Sequence, residues 1–365
     1  MAGLDIVQEA ERQLTVCNAC RYCEGYCPVF PAIEIRRNVT QGDVFYLAHL
    51  CHDCRACYYA CMYTPPHEFA INIPQLLSEV RVATYRRWSW PALLARSFME
   101  RRIGYSLSGV VAAVVLGASL LLVPQNKMFA LHLGPGAFYE VIPYVTMVIP
   151  AVALFLYAIC VWLKGGAQSW KETGGVLRRP GGLKALATAI ANAFDLRYLK
   201  GGGPGCFYPE ERPSMVRRTY HSLTFWGFLS AFVSTTLAAV YQEFFRRLPP
   251  YPLTSAPVIF GSVGGVALII GTGGLIWFKM RSDPAPAGAG ASGLDYVFLF
   301  TLGLTALTGM LTLIFRATAG MGSLLVIHLA LVAALFITAP YGKFVHFVYR
   351  SLALIQYEIE RTESR

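Results

Sequence analysis

Charged residues are scarce in this chain: they make up 14% of its 365 residues, against about 25% in an ordinary soluble protein. Together with a hydrophobic content of 55%, this scarcity excludes a disordered chain and argues against a soluble globular protein. The net charge is nevertheless +10. In so apolar a chain, the positive excess indicates basic loops on one side of a lipid bilayer rather than a nucleic-acid partner.

The common motifs of catalysis and nucleotide binding are also missing. The chain has no Walker A loop, no HExxH zinc motif, no hydrolase nucleophile elbow and no dinucleotide-binding fingerprint. The glycine run at 201–205 lacks the Lys-Ser/Thr that follows a phosphate-binding loop. The first residues carry no apolar signal segment, so we expect the N-terminal region to stay in the reducing cytoplasm.

Six stretches contain no Asp, Glu, Lys or Arg over roughly 20 residues, the length that crosses a bilayer. They run approximately over 103–123, 141–163, 222–242, 258–278, 296–315 and 322–342. With a cytoplasmic N-terminus, 27 of the 31 Lys and Arg residues fall on the cytoplasmic side, as the positive-inside rule expects. The sequence thus predicts a multi-pass membrane protein with both termini in the cytoplasm.

Cysteine is nearly absent outside the N-terminal region, since eight of the ten cysteines lie within the first 61 residues. One spacing, with gaps of two, two and three residues, occurs twice: Cys17, Cys20, Cys23 and Cys27, then Cys51, Cys54, Cys57 and Cys61. In two-cluster ferredoxins, this spacing binds two [4Fe–4S] clusters, and the fourth cysteine of each run binds the other cluster. We therefore expect one cluster on Cys17, Cys20, Cys23 and Cys61, and the second on Cys51, Cys54, Cys57 and Cys27.

The alternative for these cysteines is a pair of structural zinc sites, which use two CxxC knuckles separated by a longer loop. Two complete four-cysteine runs favour iron–sulfur clusters. Helical patterns at Asp43–Leu50 and Ile73–Tyr85 favour an α-helical ferredoxin over the β-hairpin type. Cys160 and Cys206 are left out because both ligand sets are complete. His52, between two predicted ligands, could tune a cluster by hydrogen bonding, although a solvated side chain is the simpler expectation.

Three histidines lie in or beside predicted membrane helices, where ionisable residues are functional candidates. His221 opens the third span and His346 follows the sixth, so both lie at the cytoplasmic end. A pair at matched depth suits the two axial ligands of one b-type haem. His328 and His346 are 18 residues apart. This spacing is five helical turns, so we expect them on one face of the final membrane helix, roughly 27 Å apart, and one haem cannot bind both.

The other contacts of a haem are predicted more loosely. His328 and His132 are candidates for a second haem or for structural roles, and we favour one haem because the third span has no outer histidine. Four basic residues near the pair are candidates for binding the haem propionates: Arg217, Arg218, Lys343 and Arg350.

The order of these parts resembles the TcuB/CitB family of membrane electron-transfer proteins of tricarballylate and citrate utilisation. The resemblance covers nearly the whole chain and includes the segment 195–209 with its glycine run, His221-Ser-Leu-Thr-Phe-Trp-Gly-Phe, and Pro340-Tyr-Gly-Lys-Phe-Val-His346. The final span separately resembles the two-haem cytochrome b subunit of respiratory nitrate reductase, although the second histidine on the partner helix is missing here.

The predicted fold is therefore all-α: an α-helical ferredoxin head with two [4Fe–4S] clusters, fused to a six-helix transmembrane cytochrome b-like bundle. We expect a cytoplasmic head at 1–85, an interfacial linker helix at 86–102, a membrane domain at 103–350 with a cytoplasmic loop at 164–219, and a cytoplasmic tail at 351–365.

The resemblance implies that a separate FAD-dependent dehydrogenase on the cytoplasmic face oxidises a tricarboxylate. Its electrons would pass through the two clusters and haem b to quinone in the membrane. Two alternatives stay open: the chain could serve a biosynthetic oxygenase-type flavoprotein, as in cobalamin-linked relatives, or act as a membrane redox sensor. Two histidines on one haem iron would block oxygen binding, and the last nine residues are short for a signalling domain.

Overall fold

The computed structural model describes residues 2–99, 101–175 and 182–363, and the side chains of all these except 2–5, 101–108 and 289–292. Residue 100 of the predicted linker, residues 176–181 of the predicted cytoplasmic loop and residues 364–365 of the predicted tail therefore lie outside the description. Almost all regular structure in these ranges is helical, which confirms the predicted helical class. A two-residue antiparallel pair, β1 (Cys206–Phe207) and β2 (Pro213–Ser214), is the exception among the described residues.

The N-terminal head is a cluster of helices with its own apolar core. Its helices are α1 (Ala2–Cys20), α2 (Val29–Glu34), α3 (Gln41–Leu50), α4 (Ala56–Tyr59) and α5 (Ile73–Trp88). Helix α3 begins at a reciprocal cap, in which the side chains of Thr40 and Asp43 each bond the backbone of the other. Leu14, Leu47 and Leu77 from α1, α3 and α5 are fully buried together. The two helices predicted in the head are both present.

The membrane domain and its connections contain the remaining helices. They are α6 (Ala92–Met99), α7 (Arg101–Leu122), α8 (Gln125–Met128), α9 (Ala137–Val141), α10 (Tyr144–Glu172), α11 (Gly182–Phe194), α12 (Val216–Glu243), α13 (Ala256–Arg281), α14 (Ala289–Ile314), α15 (Met321–Thr338) and α16 (His346–Glu363). In the ranges described, five helices are long and apolar enough to cross a membrane, namely α10 and α12 to α15. They coincide with five predicted spans. The first predicted span falls on α7, whose described apolar part is Gly109–Leu122, and it stays a prediction.

Close packing of α12 on α13 fixes the helix that carries His221. A Cβ atom added to Gly227 would lie 3.0 Å from the carbonyl oxygen of Gly264, so the two backbones approach at glycine positions. Glycines at such contacts let helices pack more closely than larger residues allow.

The predicted interfacial helix at 86–102 is wrong as a single element. Helix α5 ends at Trp88, and α6 begins at Ala92. Pro91 has no amide hydrogen and restricts the backbone of Trp90 before it, which favours the end of a helix at this point.

The sixth predicted span also ends earlier than expected. Helix α15 stops at Thr338, and a turn with Pro340 and a 3-10 segment, Lys343–Val345, separates it from α16. His328 and His346 therefore belong to different helices. The prediction that they share one helical face is wrong, because it assumed a continuous helix through a proline.

The C-terminal residues form a packed helix rather than a separate tail. Helix α16 runs from His346 through most of the predicted tail and packs against α3 and α11. Its buried residues Tyr349, Ala353 and Leu354 follow helical spacing. Arg36 of the head lies 2.7 Å from Glu360 in an ion pair. The head and the C-terminal helix thus lie together, on the same end of the membrane domain.

Candidate iron–sulfur and haem centres

Four cysteines line one cavity near the surface of the head: Cys17, Cys20, Cys23 and Cys61. We call them the outer thiol set. Cys20 is exposed and the other three are partly buried. Burial, and then the thiolates of the other three members, raise the pKa of Cys17 to about 12. The last turn of α1, the turn that follows it and the chain after α4 therefore bring the four thiols close to one another.

The other four cysteines form a deeper group, which we call the inner thiol set: Cys27, Cys51, Cys54 and Cys57. Cys51 and Cys54 are buried. Burial, and then the Cys54 and Cys51 thiolates, raise the pKa of Cys27 well above its ordinary value. Burial also raises the pKa of Cys57, with smaller contributions from its own set and from Cys23 of the outer set. The two sets thus lie side by side, and each contains the fourth cysteine of the other motif. That each set binds one cluster stays a prediction.

The donor chemistry of both sets suits iron–sulfur clusters, whose irons bind cysteine thiolates. Among the described residues, no group of three or more His, Cys, Asp or Glu side chains is placed to hold a metal ion. A tetrahedral zinc site would require four sulfurs within about 2.3 Å of one ion. A four-iron cluster binds each thiolate through a different iron, so its ligands stay further apart.

The segment 201–209, between α11 and α12, covers the inner thiol set. The amide of Phe207 donates to the carbonyl of Cys54 at 2.9 Å, and the amide of Gly202 donates to that of Tyr26 at 2.6 Å. Gly202 has a φ of +47°, and a Cβ there would lie 3.3 Å from the Cα of Tyr26. Glycine adopts this conformation without strain. The glycine run therefore lets backbone approach the cysteine motif.

Cys206, which the sequence analysis leaves aside, lies in the same region. It is fully buried and clusters with Cys54. Its thiol donates to the carbonyl of Leu199 at 3.2 Å and lies 3.5 Å from a guanidinium nitrogen of Arg217. Cys206 is therefore a neighbour of the inner set, a placement that motif spacing could not reveal.

Three arginines hold the backbone of the inner thiol set. Buried Arg81 and half-buried Arg350 both donate to the carbonyl of Cys51, at 2.9 and 2.8 Å. Half-buried Arg217 donates to the next two carbonyls, at 52–53, at 3.1 and 2.9 Å. Their origin in α5, α16 and α12 means that the head, the C-terminal helix and the membrane domain meet at this loop.

His52 is buried within this loop, so the expectation of a solvated side chain is wrong. Its Nδ1 lies 2.7 Å from the carbonyl oxygen of Leu50. Its ring packs against Tyr198, with ring centres 5.5 Å apart. Tyr198 belongs to the segment between α11 and α12, which covers a face that would be exposed on an isolated head.

His221 and His346 face each other at the end of the membrane domain that adjoins the head. Their ring centres are 6.5 Å apart and their planes meet at 89°. Nδ1 of His346 lies 2.7 Å from the carbonyl oxygen of Lys343, so this nitrogen is the donor and Nε2 keeps a free lone pair. Among the described residues, Nδ1 of His221 is buried and has no side-chain or backbone partner within hydrogen-bond distance.

Each histidine of the pair lies one helical turn from one of the arginines. Arg217 precedes His221 by four residues on α12, and Arg350 follows His346 by four residues on α16. Residues at this spacing lie on the same helical face. Two arginines therefore link the histidine pair to the inner thiol set.

The structure does not bring the other two predicted histidines to this pair. Nδ1 of His328 lies 3.1 Å from the carbonyl oxygen of Thr305 on α14. His132 uses both ring nitrogens, one with Glu140 and the other with the carbonyl of Lys127 at 2.7 Å. These contacts give both side chains structural partners.

The four predicted propionate ligands all contact protein groups. Arg217 and Arg350 hold the inner thiol set, while Lys343 and Arg218 form ion pairs with aspartates. The Nε atoms of Arg218 and Arg350 are nevertheless buried and have no hydrogen-bond partner in the part of the chain that the structure describes. Their role toward propionates stays a prediction.

Known proteins resemble the chain along almost its whole length. Residues 10–87 match the family described as "Citrate utilization protein B Fer4-like domain", and residues 101–365 match "Citrate utilization protein B". Citrate utilization protein B of Escherichia coli is 40% identical over 359 residues, which cover 98% of this chain and 93% of that protein. No solved structure matches the chain. The chain therefore belongs to the citrate utilization protein B family.

Proposed function

We propose that this protein is a membrane electron-transfer subunit, which reoxidises an FAD-dependent dehydrogenase for citrate or tricarballylate and delivers the electrons to quinone. One observation carries the proposal: the outer thiol set, the inner thiol set and the histidine pair succeed one another from the surface of the head to the membrane domain. The name of the Escherichia coli relative refers to citrate utilization, and the match of the head to a Fer4-like domain supports electron transfer.

Two [4Fe–4S] clusters, when bound, would supply one-electron carriers. The outer thiol set would hold one cluster and the inner set the other. Exposed Cys20 places the outer set at the surface, where a soluble dehydrogenase has access. The inner set lies behind it, covered by the segment 201–209.

His221 and His346 would hold one haem b between α12 and α16. With metal–nitrogen bonds of about 2 Å, two imidazoles on opposite faces of one metal have ring centres roughly 6 to 6.5 Å apart. The observed 6.5 Å supports this role. The buried Nε groups of Arg218 and Arg350 offer donors for propionates. His328 is bonded to α14, which favours one haem over two.

The protein would lie in the inner membrane of a bacterium with both termini in the cytoplasm. The packing of α16 against α3 places the C-terminal helix and the head at the same end of the membrane domain. The excess of basic residues in the same segments supports the cytoplasm as their side.

Anaerobic purification in detergent, with metal analysis and an optical spectrum, tests the proposal. We expect about eight iron and eight sulfide per chain, as two cubane clusters require. We also expect reduced-haem absorption bands that dithionite produces and quinone addition removes. Zinc in place of iron, or a colourless preparation, would refute the redox function.

A further inference from the structure

The inner thiol set lies among positive charges that lack close carboxylate partners. In the described ranges, none of Arg81, Arg217 and Arg350 has a carboxylate oxygen within 4 Å, and their described bonds go to neutral groups. The carboxylate of Asp53 is nearby, but it accepts a hydrogen bond from Tyr208 and lies 3.9 Å from Arg55. A buried cation without a counter-charge is strongly unfavourable. Four thiolates and their cluster would supply negative charge to all three arginines, of which only Arg350 also offers a donor to a haem propionate.

The outer thiol set lacks a comparable group of cations. Besides its cysteines, the described residues around its cavity are uncharged: Val16, Tyr22, Phe30, Met62, Tyr63 and Ile71. Arg21 is close in sequence, but it pairs with Glu34 at 2.9 Å and half of its side chain is exposed. Solvent and its partner therefore screen its charge.

We propose that Arg81, Arg217 and Arg350 raise the reduction potential of the inner cluster above that of the outer cluster. The inference rests on the proposed function, because it requires both clusters. A reduced cluster carries one more negative charge than an oxidised one, and nearby positive charge stabilises it. When one electron passes from the outer cluster to the inner cluster, the outer cluster is oxidised and the inner cluster is reduced. No proton transfer is needed.

Burial alone would give the inner cluster the lower reduction potential of the two. Removal from water disfavours the more highly charged reduced state, as it disfavours any buried charge. Without the arginines, the buried inner set would therefore hold the lower potential of the two. Guanidinium groups bonded to the carbonyl of Cys51 lie only a few atoms from a ligand sulfur. At this distance, and partly shielded from solvent, their charge outweighs the effect of burial.

Substitution of Arg350 separates charge from structure in the intact, detergent-purified protein. Arg350→Gln keeps a donor and removes the charge, whereas Arg350→Lys keeps the charge. Redox titration followed by electron paramagnetic resonance measures each cluster, with signals assigned by Cys20→Ser and Cys54→Ser. For Arg350→Gln we expect the equilibrium constant for reduction of the inner cluster to fall at least tenfold, which lowers its potential by about 59 mV for one electron. The potential of the outer cluster should not change. Arg350→Lys should retain most of the wild-type potential.

Arg21→Gln is the matched control, because it removes an arginine beside the outer set whose charge is screened, and neither potential should move. If Arg350→Gln prevents assembly of the inner cluster, Arg217→Gln removes a charge from another helix and should lower the potential of the inner cluster in the same way. An inner potential unchanged in a variant that keeps both clusters would overturn the proposal, and so would equal shifts of both clusters. Wild-type protein without iron would instead refute the proposed function itself.

Discussion

The two thiol sets arise from the same cysteine spacing, yet the protein surrounds them differently. The outer set opens to the surface, with exposed Cys20 between Tyr22 and Met62, which are 60% and 68% exposed. The inner set is enclosed by backbone from 201–209 and by arginines from three helices. The motif determines which thiols meet, while residues up to 300 positions away determine what each set contacts.

This difference matches two tasks in the proposed electron path. An entry site must be reached by a second protein, so an exposed ligand is useful there. An internal site must remain at a fixed distance from the next carrier, so rigid contacts are useful instead. Arg217 and Arg350 supply them, since each lies on the same helix as a histidine of the pair.

Substitution of one cysteine in each thiol set should produce the largest difference between the two sets, which we expect in thermal stability. We expect Cys20→Ser and Cys54→Ser each to reduce iron and sulfide from about eight to about four per chain. Only Cys54→Ser should also lower the thermal stability strongly, because it leaves the three arginines without their counter-charge. Metal analysis and thermal unfolding in detergent measure both effects. Equal destabilisation by the two variants would contradict the contrast.

Substitution of the histidines should distinguish the two that would bind haem from the third histidine of the membrane domain. His221→Ala and His346→Ala should each abolish the reduced-haem bands, because one imidazole is removed from the iron. His328→Ala is the control in the same domain and should retain the bands, because its partner is Thr305. Optical spectra of the dithionite-reduced proteins measure this. Full haem retention in either member of the pair would refute the pairing.

Chemical attack should distinguish the two clusters by rate. A hydrophilic oxidant such as ferricyanide should destroy the outer cluster at least about tenfold faster, because Cys20 is exposed whereas Cys51 and Cys54 are buried. Loss of each paramagnetic signal with time measures the rates. Deletion of residues 201–205 should reduce the difference between the two rates of cluster loss, because this segment covers the inner set. Equal rates in the wild-type protein would contradict the assignment of outer and inner.

The cysteine groups and most helices could be predicted because their signals are local. Ligand spacing, apolar runs and helical periodicity all lie within a few tens of residues. The errors have a different origin. The sequence alone predicts a solvated His52, because no residue near it in the sequence indicates the loop that buries it. Cys206 and Arg81 were overlooked for the same reason: their importance depends on which distant elements pack against α3 and its following turn.

The extent of the final span illustrates a second kind of error. The run at 322–342 is apolar throughout, so composition alone predicted one helix, yet α15 ends at Thr338. Pro340 carried the signal for this break. Because the break separates His346 from α15, it allows that histidine to begin a new helix and to face His221.

The smallest expected difference concerns one hydroxyl beside each set. Buried Tyr208 donates to a carboxylate oxygen of Asp53 at 2.8 Å, and its ring lies 3.9 Å from the guanidinium of Arg55. Tyr208→Phe should therefore lower the free energy of unfolding by about 1 kcal/mol, because the partly buried carboxylate loses a donor. Tyr22→Phe beside the outer set should change it by less than about 0.5 kcal/mol, since water replaces an exposed hydroxyl. Thermal unfolding of the two variants in the same detergent measures the contrast. A larger loss for Tyr22→Phe would mean that the outer set is as tightly enclosed as the inner one.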